Sequence, residues 1–380
     1  MRTVLVLICS LYTGLIHAQQ NFVLNPSFEE YYQCPTGIGQ IKQAKFWTGF
    51  DTTGVLDCWP TYCNTCATSF NCSIPKSGYY YQSAHSGYAM ILNQLYFDSS
   101  ATNIALLGYI KGKLAKPLAK NTPYCVSFYI NLAESSRYAI NSIGAYIDNG
   151  SIDSVQGCLL PAGKFIPQIQ NTSGFLTDTA NWVKIESSFV AKGGERYITI
   201  GNFLDAAHTP HIKIPDNDFN NGSPVAGYLI DDVSVIAIDT KADAGPDTHV
   251  AEDSAFIGRP PEVGLECTWA VLGSSTVMGT GAGIKVKPST TTSYVVTQIL
   301  CGTVTRDTVK VDVWPAGINS VNGKEQVYSL SPNPVQQKLH LSQQVNDGRA
   351  VMVSIYEATG KQVYAGSLQF ADNKAGVNVG

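Results

Sequence analysis

The chain has 380 residues, enough for two or three domains with a substantial core, and only 14% of them are charged. Rich in Gly, Ser, Thr, Asn and Tyr, it reads as exported β-structure and argues against a helical cytosolic enzyme. A formal charge of −4 without basic runs removes the electrostatic case for nucleic acid as a partner.

Residues 1–18, MRTVLVLICSLYTGLIHA, combine a basic start at Arg2, an apolar run from Val4 and a small residue, Ala18, before Gln19 and Gln20. This is the pattern of a signal peptide. Its apolar run is shorter than the ~20 residues a membrane span needs, and no later run reaches that length. Cys9 follows an isoleucine, which does not suit a lipid-attachment site. Removal of the segment leaves 24 basic against 29 acidic residues, a formal charge of −5, and nine of the ten cysteines.

Residues 19–239 show short alternating runs between turn residues. In YCVSFYINL, Val126, Phe128, Ile130 and Leu132 share one face, and Cys125, Ser127, Tyr129 and Asn131 the other. In WVKIESSFV the apolar parity falls on Val183, Ile185 and Phe189. The adjacent Gly193 and Gly194 read as the turn into YITIGNF. So many strands in about 220 residues predict one large two-sheet sandwich. A Gly, Pro and Asp stretch after Ile238 opens a second unit, 240–315, with the size and cadence of a small immunoglobulin-like sandwich. Residues 316–324 are a polar linker. The third unit, 325–380, has the strands KLHLS, VMVSIYE and KQVYAG, and it reads as a partial β-sandwich that stops before closing.

YSLSPNPVQQKLHLS followed by VMVSIYEATGKQVYAG resembles the C-terminal sorting domain of the type IX secretion pathway of Bacteroidetes. The residues in register are Pro332, Asn333, Pro334, Ile355, Tyr356, Gly360 and Lys361. Physically, the prolines pre-set φ and cannot donate to a strand ladder, so they begin the unit sharply. The resemblance implies the type IX secretion machinery as a partner and a secreted or outer cell-surface location. NFVLNPSFEEYYQCP, SAHSGYAMI and GYLIDDVSV look like the galactose-binding-like jelly rolls of surface proteins of the same bacteria, whose fold also serves as carbohydrate-binding modules. ADAGPD and TTTSYVVT are similar to the immunoglobulin-like repeats of these proteins.

Asp231 has the parity of Leu229, Val233 and Val235, so its carboxylate is expected on the apolar side unless a bulge intervenes. In the jelly rolls that the chain resembles, an acidic residue of the SFE segment and one of the DD pair help hold a structural calcium. The resemblance therefore points to Glu29 and Asp231 sharing Ca²⁺, with carboxylates that cap backbone turns as the alternative. Cys58, Cys63, Cys66 and Cys72 contain one CxxC and lack a second, which favours disulfides over zinc. The seven cysteines of the first unit are an odd set whose pairing the sequence leaves open. Cys267 and Cys301 are expected to pair within the second unit, with Trp269 in its core.

The cysteine-pinned loop carries Trp59, Tyr62 and Phe70, and the run Tyr79, Tyr80 and Tyr81 follows it. These rings either stack on a sugar face or partner, or cover the loop's own core. LDAAHTPHIKIPDNDFNNG misplaces the glycine of a calcium loop, and GTGAG at 279–283 lacks the helix of a phosphate cradle. No HExxH or GxSxG occurs, so no catalytic residues are assigned. The expectation is a non-catalytic protein that recognises glycan or another surface polymer. A structural or adhesive protein that binds proteins is the alternative, and a hydrolase comes third.

Overall fold

The computed structural model describes residues 3–7, 20–50, 60–98, 107–152, 160–161, 163–216, 219, 224–250, 254–313, 328–331, 338–343, 350–356 and 362–378. The regular structure among the described residues is strand, apart from two short 3-10 turns at Ile41–Gln43 and Phe70–Cys72. No helix among them is long and apolar enough to cross a membrane.

Strand β1 (Thr3–Leu7) lies within the segment read as an export signal. The first sandwich then uses β2 (Trp47–Thr48), β3 (Thr61–Asn64), β4 (Ala89–Phe97), β5 (Ile110–Lys113), β6 (Pro123–Leu132) and β7 (Tyr138–Ile140). It continues with β8 (Ile143–Asp148), β9 (Ile169–Gln170), β10 (Val183–Val190), β11 (Tyr197–Asn202), β12 (His211–Lys213) and β13 (Val225–Ala237). One five-stranded sheet has the order β10-β6-β13-β4-β3, the other β2-β5-β11-β8-β9, and β12-β7 forms a small ribbon. Between the sheets lies one continuous apolar core built from the inward parity of each strand, including Val126, Phe128 and Ile130 from β6 and Ile198 and Ile200 from β11.

The expected parity of β13 fails at one point. Tyr228 and Ile230 enter the core before Asp231, whereas Val233 and Val235 enter it afterwards. A bulge between Asp231 and Ser234, with Asp232 at φ +50°, inserts the extra residue that switches faces. Asp231 therefore shares the outward face with Leu229 and not with Val233.

The second sandwich uses β14 (Thr248–Val250), β15 (Ala255–Gly258), β16 (Glu266–Val271), β17 (Gly279–Thr280), β18 (Gly283–Val286), β19 (Thr292–Leu300) and β20 (Thr303–Val313). Its sheets run β14-β20-β19-β16-β17 and β15-β18, around a core centred on Trp269. That core includes Cys125 and Ile236 of the first sandwich, so the two units share apolar packing. The last unit uses β21 (Tyr328–Ser331), β22 (Lys338–Gln343), β23 (Val351–Tyr356), β24 (Gln362–Leu368) and β25 (Lys374–Asn378), with Leu339, Leu341, Val353 and Ile355 in its core. Strand β1 pairs in parallel with β23 and so forms an edge of this unit's sheet. Pro332, Asn333, Pro334, Gly360, Lys361 and the linker 316–324 lie outside the described residues, as does the side chain of Tyr356.

The expected Cys267–Cys301 bridge is corrected. Cys301 pairs with Cys125 at a Cα separation of 5.5 Å, and Cys267 is a buried free thiol. The reason is register. Cys267 sits within β16 opposite Gln298, in the core of its own sandwich, while Cys301 occupies the turn after β19 at φ +44°. From there it meets Cys125 on the outward face of β6.

Candidate functional site

The outward face of the β2-β5-β11 sheet carries an open hollow of about 400 Å³. Alternation places it: Ile110 and Gly112 of β5 turn into the core, so Lys111 and Lys113 turn out. Tyr197 of β11 stands opposite Lys113, and Thr48 of β2 opposite Lys111. The far wall comes from the segment between the first turn and β2. There the Tyr32 amide donates to the Gln43 carbonyl at 2.9 Å and the Lys45 amide to the Glu30 carbonyl at 2.9 Å. A 3-10 turn at Ile41–Gln43 sets Lys42 beside the hollow.

Two rings stand in solvent here, Tyr32 at 72% and Phe46 at 41% exposure. Phe46 adopts φ +67°, a costly backbone for a bulky residue, yet its carbonyl accepts from the Lys113 amide at 3.1 Å, which ties the ring's position to the sheet. The Lys111 ammonium lies 4.3 Å from the centre of the Tyr197 ring and donates to the Ile152 carbonyl at 2.7 Å. Lys45 sits 6.0 Å from the centre of the Tyr32 ring and 3.8 Å from Glu30. Exposed rings beside a sheet edge, flanked by ammonium groups, are an arrangement that can stack on a flat ligand face.

A second cluster lies where the bulge of β13 meets the first turn. The Asp231 carboxylate is buried and accepts from the amides of Asp232 (2.7 Å), His85 (2.8 Å) and Ser86 (3.2 Å). Burial, with Asp232 alongside, pushes its carboxyl well above the usual range despite those amides. Glu29 accepts from the amides of Tyr88 at 2.9 Å and Ala89 at 3.1 Å, and burial outweighs those bonds and raises it too. Both carboxylates thus collect amides of one short stretch, 85–89. Its Gly87 is at φ +64°, and a Cβ there would lie 2.2 Å from the Glu29 carboxylate. Glu29 Oε2 is buried without a hydrogen-bond partner among the described residues. Asp232 accepts from Ser27 and Ser86 hydroxyls, each at 2.6 Å, and meets His85 Nδ1 at 2.5 Å.

This grouping of Ser86, Asp232 and His85 is not a nucleophile triad. The carboxylate stands between hydroxyl and imidazole, whereas general-base catalysis needs the imidazole in the middle. Among the described residues, three His, Cys, Asp or Glu ligand atoms within 4.8 Å of one another occur at Cys125, Glu186 and Cys301, where the two sulfurs are already bonded together.

Of the ring residues expected to face a ligand, Phe70 and Tyr81 are exposed, at 58% and 63%, and Tyr79 is half-buried. Tyr62 and Tyr80 are core residues, so for these two the ligand-facing reading gives way to the one in which the rings cover the loop's own core. The Tyr62 hydroxyl donates to the Phe28 carbonyl at 3.1 Å and accepts from Asn64 at 2.8 Å, while Tyr80 donates to the Ser73 carbonyl at 2.9 Å. Satisfied hydroxyls let both rings bury at no polar cost. Trp59, Cys58 and Cys158 lie outside the described residues. The loop is pinned by Cys34–Cys66, and Cys63 and Cys72 are buried free thiols, with burial pushing Cys63 up to about 12. The reading of all four loop cysteines as disulfides is corrected for these two. Tyr32, Phe46, Lys42, Lys113 and Tyr197 were not singled out from sequence. The alternation of YIKGKL held the signal for Lys111 and Lys113, but which sheet face stays open is a tertiary fact.

The fold and the hollow define a multidomain, all-β protein whose first unit is a two-sheet sandwich with an open, ring-bearing sheet face. No family model and no curated protein matches the chain. Among solved structures, the CBM22-1 xylan-binding domain of Paenibacillus barcinonensis Xyn10C is 13% identical, covering 59% of this chain and 99% of that one at a TM-score of 0.29. The K1 cleaved adhesin domain of Lys-gingipain from Porphyromonas gingivalis W83 is 11% identical, covering 56% and 95% at 0.27. The CBM22-1–CBM22-2 tandem of the same Xyn10C is 11% identical, covering 92% and 83% at 0.27. Scores this low carry no assignment, and the architecture rests on the sheets themselves.

Proposed function

We propose that this chain is an exported, non-catalytic binding protein that holds a polysaccharide or another surface polymer in the hollow on the β2-β5-β11 face. The observation that carries the reading is the pair of exposed rings, Tyr32 and Phe46, which line one hollow with Tyr197 of β11. Export is supported by the signal-like leader and by the resemblance of residues 325–380 to a type IX sorting domain, which makes that machinery a partner and the outer surface or medium the destination. The orphaned Glu29 Oε2, the buried Asp231 and the neighbouring serine hydroxyls are hard oxygen donors that suit calcium, with Glu29 and Asp231 as the residues that would hold it. Bound there, the ion would neutralise carboxylates that burial disfavours and would tie the first turn to the last strand of the sandwich.

The test is a glycan array with wild type and Tyr32→Ala, each with millimolar calcium. Saturable binding that the variant loses supports the reading, whereas binding confined to proteins or cells replaces it with an adhesive role. Calcium is checked by melting the protein with and without chelator. A Tm that falls on chelation and recovers with calcium is expected, and an unchanged Tm removes the ion.

A further inference from the structure

The concave surfaces of this protein differ in charge. The hollow at the domain junction carries Asp232, Glu262 and Glu266. The one at the far end of the second sheet mixes Asp148 and Glu195 with Lys164 and Lys192. The hollow between Tyr32 and Tyr197 carries Lys42, Lys111 and Lys113, and among the described residues none that lines it is acidic. That is a local excess of positive charge on a chain whose net charge is negative.

We propose that the polymer held there is an anionic polysaccharide, one that carries carboxylate or sulfate groups along its chain. This inference rests on the reading of the hollow as a glycan site. A sugar ring laid on Tyr32 or Phe46 strips water from the ammonium groups at its edge. Under a neutral sugar that lost hydration is met only by hydroxyls, and the charges resist covering. An anionic substituent offsets the cost by pairing with them, and it also speeds encounter with a cationic hollow. Lys45 does not add to this excess, because Glu30 answers it at 3.8 Å. Lys111 is held over Tyr197 and on the Ile152 carbonyl, so the charge open to a ligand is that of Lys42 and Lys113. Lys42 and Lys113 are both exposed, which leaves them able to reach a ligand.

The experiment titrates the full chain with polygalacturonate, chondroitin sulfate, unsubstituted neutral xylan and poly-L-glutamate, at about 50 and 300 mM salt to vary screening. Variants are Lys42→Gln/Lys113→Gln and Tyr32→Ala, each confirmed folded by an unchanged melting curve. Polygalacturonate or chondroitin sulfate is expected to bind, with affinity about tenfold lower at the higher salt and about tenfold lower in the double lysine variant. Tyr32→Ala should weaken the same binding without changing its salt dependence. Equal, salt-insensitive binding of neutral xylan overturns the charge inference and leaves the glycan reading standing. Binding to none of the polysaccharides overturns both. Poly-L-glutamate held as tightly as polygalacturonate, and insensitive to Tyr32→Ala, replaces the glycan with any polyanion.

Discussion

Single side chains decide whether the candidate surface exists. Trp47 fills the core beneath it, with its indole donating to the Asn25 carbonyl at 2.9 Å, and Gly112 makes room for the ring. A Cβ at Gly112 would lie 2.6 Å from the Trp47 ring, so Gly112→Ala should cost about 1–3 kcal/mol by overpacking. The same change should weaken polymer binding, because the strand that carries Lys111 and Lys113 must shift. Denaturant unfolding alongside a binding titration checks both. At Tyr62, for which the sequence left ligand contact and core packing both open, the hydroxyl is buried and doubly bonded. Tyr62→Phe should therefore lower stability by about 1–2 kcal/mol while leaving binding unchanged. A variant that binds less at unaltered stability would return Tyr62 to the ligand.

At the level of elements, periodicity carried most of the information. The inward sets of β6 and β10 are the residues that alternation named, because a period of two maps directly onto the two faces of a sheet. It failed at β13, where the bulge moves Asp231 from the core face to the outward one; a bulge depends on the partner strand's register, which local sequence does not state. Elements of the two sandwiches also create a pH-dependent contact. Lys184 of β10 reaches Glu266 of β16 at 2.7 Å, and the Tyr129 hydroxyl of β6 donates to the same carboxylate at 3.0 Å. Burial raises the Glu266 carboxyl, but Lys184 and Tyr129 more than offset it and leave the group below its ordinary 4.5. A carboxyl depressed in the folded state contributes stability above its unfolded pKa and loses it as pH falls through the folded value. Glu266→Gln should thus cost about 0.5–1 kcal/mol at neutral pH, an exposed-pair magnitude, and nothing once the solution is well below pH 4.5. Melting both proteins at the two pH values tests it.

Across the whole molecule, the first and second sandwiches are joined covalently as well as by packing. Cys125–Cys301 spans 176 residues, and Cys125 and Ile236 lie in the second unit's core. In the chain-entropy model such a closure stabilises by up to about 5 kcal/mol. Cys125→Ser is expected to split one cooperative melting transition into two, and a single unshifted transition would show that apolar packing alone couples the units. The strand β1 adds a second long-range pairing, on the last unit, that cleavage after Ala18 would remove.

Composition and alternation sufficed for the β architecture and for the inward sets of β6 and β10, since those follow from local geometry and from apolar burial. Disulfide partners, the face that Asp231 occupies and the rings left in solvent arise from how sheets stack and domains dock. Cys301 could find Cys125 only after two sandwiches met, and Tyr32 could stand beside Lys113 only after a turn folded across β5. Contacts between residues far apart in the chain carry no period, so tertiary packing alone decided them.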